Sequence, residues 1–323
     1  MRVALLGVSH WHAPMHLDAV ISSGGEAALV WDPDATATRR FAAEHGLATA
    51  QSLDQVIEAR PDLILLMGHP LAVPDVAIQV IAAGVSLVLE KPAANATGGL
   101  MRVVEASRRY GSFVGVPLPN RFGPVFRAMA ELEAEGRLGK LAYGHFRIVN
   151  GPPQRYRDDG VGWMLDPAIG GGGALRNLGI HGIDAALSLA QGALRVVSAL
   201  IGNRIHDEPV EDHAHVTLCD EAGTLFTVEA GYTYASMAPG GDFEWRIATG
   251  NAYLSDRGET AQCTTLDDGS TRMLAPEHPG MRYRLFMADT FNRLRSGKPP
   301  GVSIEDYLAA MQIIDAAYEK ANS

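Results

Sequence analysis

Two segments of the chain carry side chains that can exchange a proton at neutral pH. In the first, Asn177, His181 and Asp184 are spaced i, i+4 and i+7 within a helix-like stretch, so they share one helix face. An imidazole titrates near neutral pH, which makes His181 a candidate general base. The Asn177 amide oxygen can hold the imidazole ring, but it lacks the charge that would stabilise an imidazolium. Asp184 is expected to be structural, tying the helix to a sheet.

The second segment centres on Lys91, one of four lysines against 23 arginines and the only lysine before residue 140. It follows the apolar run Ser86–Leu89 and Glu90, where a strand would end. At the carboxyl edge of a sheet, a nearby positive charge would lower the pKa of this lysine, so that its neutral amine could accept a proton. The alternative interpretation of Lys91 is a surface lysine beside the turn residue Pro92.

Histidines cluster in the same part of the chain. The group comprises His10, His12, His16 and, after a later apolar run, His69. Neighbouring imidazoles raise the question of a metal site, but no carboxylate or cysteine in the loop completes a ligand set. His213 and His215 share a strand face and also lack an evident third ligand. We expect no bound metal.

The elements that must position these residues follow two patterns, and the first covers residues 1–117. Strand-like apolar runs alternate there with helix-like segments such as Ala35–His45. The runs are Val3–Leu6, Ala27–Trp31, Leu63–Met67, Ser86–Leu89 and Phe113–Val116. Their continuous rather than alternating apolar character predicts a parallel sheet covered on both faces, in a doubly wound α/β arrangement.

The junction after the first predicted strand has the position of a dinucleotide-binding loop. It reads Gly7-Val8-Ser9-His10-Trp11-His12 and retains only the first glycine of G-x-G-x-x-G. Asp32 ends the next strand, 20 residues past His12, where an acid accepts hydrogen bonds from an adenosine ribose. This acidic turn favours NAD over NADP. The alternative interpretation of Asp32 is a turn residue or a helix N-cap.

After about residue 118, apolar and polar residues alternate along the runs, as in an antiparallel sheet with one exposed or partner-covered face. A last helix begins with a capping-box pattern at Ser303 and Asp306. The sequence therefore predicts a Rossmann domain over 1–119 and an α+β domain over 120–323. The second domain has an open antiparallel sheet with helices on one face, and its C-terminal helix can pack back on the first domain.

Several motifs together resemble one enzyme family. They are Glu90-Lys91-Pro92, Asn120-Arg121-Phe122, Gly171-Gly172-Gly173-Ala174-Leu175, Asn177, Gly179, His181 and Asp184. In this order and spacing they resemble the Gfo/Idh/MocA family of NAD(P)-dependent oxidoreductases. The resemblance implies hydride transfer between a nicotinamide and a hydroxyl or carbonyl of a sugar, polyol or related compound. It also implies a dimer or tetramer formed through the C-terminal sheet.

The resemblance also implies site residues. Lys91 matches the lysine at the family's reaction centre and His181 matches the histidine of its Asp-x-x-x-His pair, whereas Asn177 stands at the Asp position. We expect Lys91, His181 and Asn177 to be catalytic. The expected cofactor-binding residues are Gly7, Ser9, His10, Trp11, His12, Asp32, His69, Glu90, Lys91 and Asn120. The candidate substrate contacts are Trp163, Asp166 and Arg176.

Composition excludes other classes of protein. The net charge is −10, so a nucleic-acid binder is not expected. No stretch of about 18 apolar residues predicts a membrane span, and the N-terminus lacks the layout of a signal peptide. Cys219 and Cys263 form no CxxC motif. The cytoplasm is the expected compartment.

Two other functions remain open from the sequence. The reduced glycine motif and the missing Asp would also suit a non-catalytic dinucleotide- or sugar-binding protein on the same scaffold. The third hypothesis is an enzyme that uses transient hydride transfer for elimination or hydrolysis, with no net formation of NADH.

Overall fold

The computed structural model describes residues 1–322, which form two compact units. The first unit contains residues 1–119 and 279–308, and the second contains residues 120–278 and 309–322. Residues 279–308 thus belong to the first unit, although the sequence-based division assigned them to the second domain. None of the helices described over 1–322 combines the length and apolar character needed to cross a membrane.

The strands and helices have the following bounds. The strands are β1 (Arg2–Leu6), β2 (Glu26–Trp31), β3 (Leu63–Leu66), β4 (Ser86–Leu89), β5 (Val114–Gly115), β6 (Leu141–Asn150), β7 (Arg195–Gly202), β8 (His213–Cys219), β9 (Leu225–Gly231), β10 (Gly241–Thr249), β11 (Ala252–Asp256), β12 (Ala261–Thr265) and β13 (Thr271–Leu274). The helices are α1 (Ala13–Ser22), α2 (Ala35–His45), α3 (Leu53–Glu58), α4 (Val73–Ala82), α5 (Thr97–Tyr110), α6 (Pro124–Ala134), α7 (Gln154–Asp158), α8 (Ile180–Leu189), α9 (Pro279–Arg295) and α10 (Ile304–Ala321).

The first unit contains a five-stranded parallel sheet in the order β2-β1-β3-β4-β5. Every residue of β3 is buried, as expected for a strand covered on both faces. Strand order reverses between β1 and β3, and the carboxyl edge at such a switch point is where doubly wound folds bind ligands. The predicted doubly wound parallel fold is confirmed.

Local signals in the sequence account for several element ends in this unit. Helix α2 begins where the Asp34 carboxylate accepts the Thr36 N–H and ends at Gly46, whose φ is +67°. Helix α10 begins with a reciprocal pair. The Ser303 hydroxyl accepts the Asp306 N–H at 3.1 Å, and the Asp306 carboxylate accepts the Ser303 N–H at 2.7 Å. The predicted capping box is therefore present.

The second unit contains an eight-stranded sheet in the order β13-β12-β11-β10-β6-β9-β8-β7. All neighbours are antiparallel except β6 and β9, which are parallel, so the predicted antiparallel sheet is confirmed as a mixed, mostly antiparallel one. Phe226, Val228 and Ala230 of β9 are buried. Helix α8 packs closely on this face, because a Cβ at Gly182 would lie 2.9 Å from both Phe146 and Val228.

Candidate active site

Gly7 brings the ends of β1 and β3 together at the switch point of the first unit. Its φ is +74°, and a Cβ at this position would lie 2.0 Å from the Met67 carbonyl oxygen. Only glycine meets both conditions. The one glycine that the sequence retains from G-x-G-x-x-G is therefore the one required by the contact between these two strand ends.

Asp32 ties the loop after β1 to the end of β2. Its carboxylate accepts the Ser9 N–H and the Asp34 N–H, each at 2.8 Å, and its own N–H donates to the Thr38 hydroxyl at 2.8 Å. The helix N-cap is Asp34, so the N-cap alternative for Asp32 is not what the structure contains. Each carboxylate oxygen can accept a further hydrogen bond, for example from a ribose hydroxyl.

His10 carries a donor suited to a phosphate. Its Nδ1 accepts the His12 N–H at 3.1 Å, so the neutral ring has its proton on Nε2. Burial lowers the pKa of His10 well below its usual range, and the neighbouring His12 adds to the effect. The buried Nε2 has no hydrogen-bond partner among residues 1–322. The ring also stacks on Trp11, with centroids 3.8 Å apart.

Glu90 and Lys91 follow β4, at the same carboxyl edge of the sheet. Both are buried, with 2% and 5% of their surface exposed. Burial lowers the pKa of Lys91, and the nearby Glu90 carboxylate opposes this effect by raising it. Lys91 is thus not the surface lysine of the alternative interpretation. Its neutral amine is populated at a lower pH than that of an exposed lysine.

Two further predicted cofactor residues lie in turns that follow sheet strands. His69 comes after β3, and its carbonyl oxygen accepts the N–H groups of Ala72 and Val73 at 2.8 and 3.1 Å. Asn120 lies in the 3₁₀ turn Pro119–Phe122 after β5, and its carbonyl oxygen accepts the Gly123 N–H at 3.0 Å. Their contacts with a cofactor stay predictions.

In the second unit, Asn177 lies in a π-helical segment, Leu175–Gly179, directly before α8. Such π-bulges occur frequently at functional sites. The Asn177 amide nitrogen donates to the hydroxyls of Tyr156 at 2.9 Å and Tyr232 at 3.1 Å. Burial raises the pKa of both tyrosines, so their hydroxyls stay protonated at neutral pH.

His181 and Asp184 both lie in α8. His181 is half-buried in the first turn of the helix. Asp184 is 1% exposed and accepts two hydrogen bonds from the Arg121 guanidinium, one of them from Nε at 2.8 Å. This ion pair agrees with a structural role for Asp184, although its partner is a turn rather than the sheet.

The glycine-rich loop before Asn177 wraps around Glu211. The Glu211 carboxylate accepts the Gly173 N–H at 2.8 Å, the Leu175 N–H at 2.9 Å and the Tyr318 hydroxyl at 2.7 Å. A Cβ at Gly172 would lie 2.2 Å from the Tyr318 hydroxyl oxygen. Packing within the chain itself thus requires a glycine at position 172.

The three candidate substrate contacts differ in their surroundings. Arg176 is 8% exposed and donates to Asp315 at 2.5 Å, so its charge is compensated within the chain, and its role in substrate binding stays a prediction. Asp166 is exposed, and its carboxylate accepts the Ala168 N–H at 2.9 Å. Trp163 is half-buried in the 3₁₀ turn Gly162–Leu165. The roles of Asp166 and Trp163 stay predictions.

Sequence reasoning missed three residues of the second unit. Tyr156 and Tyr232 accept hydrogen bonds from Asn177, and Glu211 holds the glycine-rich loop. A single buried tyrosine or glutamate leaves no periodic signal, so only the fold identifies them. Within residues 1–322, no group of three His, Cys, Asp or Glu residues is arranged to hold a metal ion.

Sequence models of one family match both parts of the chain. A model described as "Oxidoreductase family, NAD-binding Rossmann fold" matches residues 1–117, and one described as "GFO/IDH/MocA C-terminal domain" matches residues 126–251. The chain belongs to the Gfo/Idh/MocA oxidoreductase family, and the resemblance inferred from its motifs is confirmed. Its first unit is an NAD-binding Rossmann domain. Gly7, the Asp32 carboxylate and the unpartnered His10 Nε2 fit such a cofactor.

Curated relatives match part of their own length. The chain is 26% identical over 186 residues to 1,5-anhydro-D-fructose reductase of Ensifer adhaerens, and this match covers 57% of this chain and 54% of that protein. It is 27% identical over 221 residues to inositol 2-dehydrogenase 2 of Saccharopolyspora erythraea, and this match covers 66% of this chain and 62% of that protein. The matched region thus spans between half and two thirds of these relatives.

Solved structures share the fold over nearly their whole length. Levoglucosan dehydrogenase in complex with NADH and levoglucosan superposes with a TM-score of 0.87 at 17% identity, covering 100% of this chain and 97% of that one. The WlbA dehydrogenase from Bordetella pertussis, in complex with NADH and UDP-GlcNAcA, gives 0.83 at 20% identity, covering 100% and 95%. At these identities the similarity establishes the fold alone.

Proposed function

We propose that the protein is an NAD-dependent oxidoreductase that transfers hydride between the nicotinamide and a hydroxyl or carbonyl carbon of a sugar, polyol or related small molecule. The observation that carries this proposal is Lys91, a lysine buried directly after β4 in an NAD-binding unit, with its pKa lowered by burial. The names of relatives that act on anhydrofructose and inositol support the substrate class.

The residues of this chain must remove the hydroxyl proton, since bound NAD supplies the hydride acceptor. Lys91 does so as a neutral amine. Because its pKa lies below the ordinary value, turnover in the oxidative direction should rise with pH through that lowered pKa. His181 is the second candidate base, and Asn177 holds the Tyr156 and Tyr232 hydroxyls.

NAD reduction with sugars and polyols, followed by absorbance, tests the proposal. Lys91→Met or His181→Ala should lower turnover by at least about a hundredfold, the scale of general-base loss. Lys140→Met, at an exposed lysine of the second unit, should leave turnover unchanged. Near-normal turnover in both Lys91→Met and His181→Ala would contradict the assignment.

One observation favours a second candidate function. The Asn177 amide donates to two tyrosine hydroxyls, whereas the family pattern has an acid at this position. A non-catalytic dinucleotide- or sugar-binding protein would bind NADH tightly without turning over any polyol. An enzyme using transient hydride transfer for elimination or hydrolysis would form product without net NADH.

The proposal includes a homodimer or homotetramer formed through the outward face of the eight-stranded sheet. In support, this sheet carries Leu200, Leu225 and Tyr253 with 74%, 50% and 43% of their surface exposed. Light scattering on the purified protein measures its mass directly, and a monomer would contradict this part. The proposed compartment is the cytoplasm, in line with the two buried free cysteines.

A further inference from the structure

A buried group of ionisable side chains lies beside Lys91 in the first unit. Glu90 is at its centre and is flanked by two histidines that stand in or after the cofactor loop. His16 Nε2 lies 2.5 Å from Glu90 Oε2, and both side chains are 1% exposed. His12 Nδ1 lies 3.4 Å from Glu90 Oε1, and the His12 side chain is 20% exposed. We refer to Glu90, His12 and His16 as the buried trio.

The hydrogen bond between His16 and Glu90 has a defined polarity. His16 Nδ1 is buried and has no hydrogen-bond partner among residues 1–322, so a proton there would be orphaned. The ring proton therefore belongs on Nε2, where it is donated to the carboxylate at a short distance. Hydrogen bonds from an N–H to an ionised acceptor are about twice as strong as neutral ones.

Other charged and titratable groups face the trio. Tyr283 of α9 contacts both histidines, with ring centroids 5.7 Å from His12 and 5.1 Å from His16, and its hydroxyl lies 3.3 Å from His12 Nδ1. His10 and Lys91 interact electrostatically with its members. Burial alone would raise the pKa of Glu90, but His12 and His16 together lower it well below its usual range.

We propose that His12 and His16 keep Glu90 ionised, and that the Glu90 carboxylate in turn holds Lys91 as an ammonium and so determines the pH at which Lys91 becomes a base. In this scheme Glu90 and His16 are positioning residues, because they act through Lys91 rather than on a substrate. His12 occupies the third glycine position of the usual loop motif. Its contact with Glu90 would account for a histidine at that position.

Two opposing effects on the pKa of Lys91 determine how each substitution should shift it. Burial favours the neutral amine, whereas the Glu90 carboxylate favours the ammonium. Removing the negative charge from Glu90 leaves burial unopposed, so the pKa of Lys91 must fall. Removing the His16 donor makes protonation of Glu90 easier, which weakens the same restraint and lowers the Lys91 pKa in the same direction.

The chain offers a direct readout, because its four lysines give at most four Cε resonances in protein labelled with ¹³C at lysine Cε. Lys91→Met assigns the resonance of Lys91. Titration without cofactor or substrate then gives its pKa. Glu90→Gln should lower this pKa by at least about one unit. His16→Leu should lower it by less, and His16→Gln, which retains a side-chain donor, should restore it toward the native value.

Misfolding cannot imitate this result, because an unfolded chain would raise the pKa of Lys91 toward about 10.4, the value of an exposed lysine. A Lys91 pKa unchanged by Glu90→Gln would overturn the proposal. So would equal effects of His16→Leu and His16→Gln, which would indicate a packing role only.

The catalytic consequence rests on the proposed function. If that function holds, Glu90→Gln should shift the rise of kcat/KM to lower pH by the same amount as the Lys91 pKa. A shift of the Lys91 resonance in a protein without turnover would leave the charge-setting role intact and reject the proposed function. An unmoved pH profile in an active enzyme would reject Lys91 as the group that the trio controls in catalysis.

Discussion

Gly7 shows at the scale of single residues why a reduced motif can still form a cofactor loop. Its positive φ and its approach to the Met67 carbonyl are both required by the switch point between β1 and β3. Ser9 and His12 stand at the two missing glycine positions and make contacts within the first unit. The Ser9 N–H donates to Asp32, and His12 lies beside Glu90.

We expect Gly7→Ala to destabilise the protein by about 3 kcal/mol or more, because strain at positive φ adds to a backbone clash. Gly46→Ala is the matched control, since Gly46 also has a positive φ of +67° but nothing lies within 4 Å of its Cβ position. That control should cost about 1–2 kcal/mol. Urea unfolding of both variants measures the difference, and equal losses would rule out the clash with Met67.

At the scale of elements, α8 is fixed by an ion pair that spans 63 residues of sequence. Asp184 is nearly inaccessible, and Arg121 forms two hydrogen bonds with it. Breaking such a pair from one side leaves a buried charge uncompensated. The position of His181, one turn before Asp184, depends on the same helix.

Arg121→Met is therefore expected to lower the free energy of unfolding by about 3–5 kcal/mol. Arg102→Met removes one partner of an exposed pair with Asp75, whose side chains are 59% and 62% exposed, and should cost no more than about 1 kcal/mol. Thermal unfolding compares the two variants. A small loss in Arg121→Met, like that of the control, would mean that Asp184 finds another partner or is reached by water.

Prediction from sequence worked where a structural cause is local. The bounds of α2 and β4 follow from hydrophobic pattern and capping residues, and the change from continuous to alternating apolar runs gave the order of the two sheets. Prediction from sequence failed where the structural cause is a tertiary contact. Asn177 meets Tyr156 across 21 residues and Glu90 meets His16 across 74, and neither contact leaves a periodic signal. The π-helical segment Leu175–Gly179 also departs from the regular helix on which the spacing of Asn177, His181 and Asp184 was interpreted.

At the scale of the whole molecule, we propose that the first unit binds NAD in preference to NADP and presents it to Lys91. We expect the acidic end of β2 to carry this preference, because the Asp32 carboxylate would accept hydrogen bonds from ribose hydroxyls and repel a 2′-phosphate. The buried Asp32 is 5% exposed and already fixed by two backbone donors. Its orientation is thus set before any cofactor arrives.

The most direct measurement is a titration of the purified protein with NADH and with NADPH, followed by nicotinamide fluorescence and tryptophan quenching. Saturable NADH binding, at least about tenfold tighter than NADPH binding, is the predicted result, and Asp32→Ala should reduce that preference. Binding of neither cofactor would contradict the assignment of the first unit, and tighter binding of NADPH would contradict the role given to Asp32.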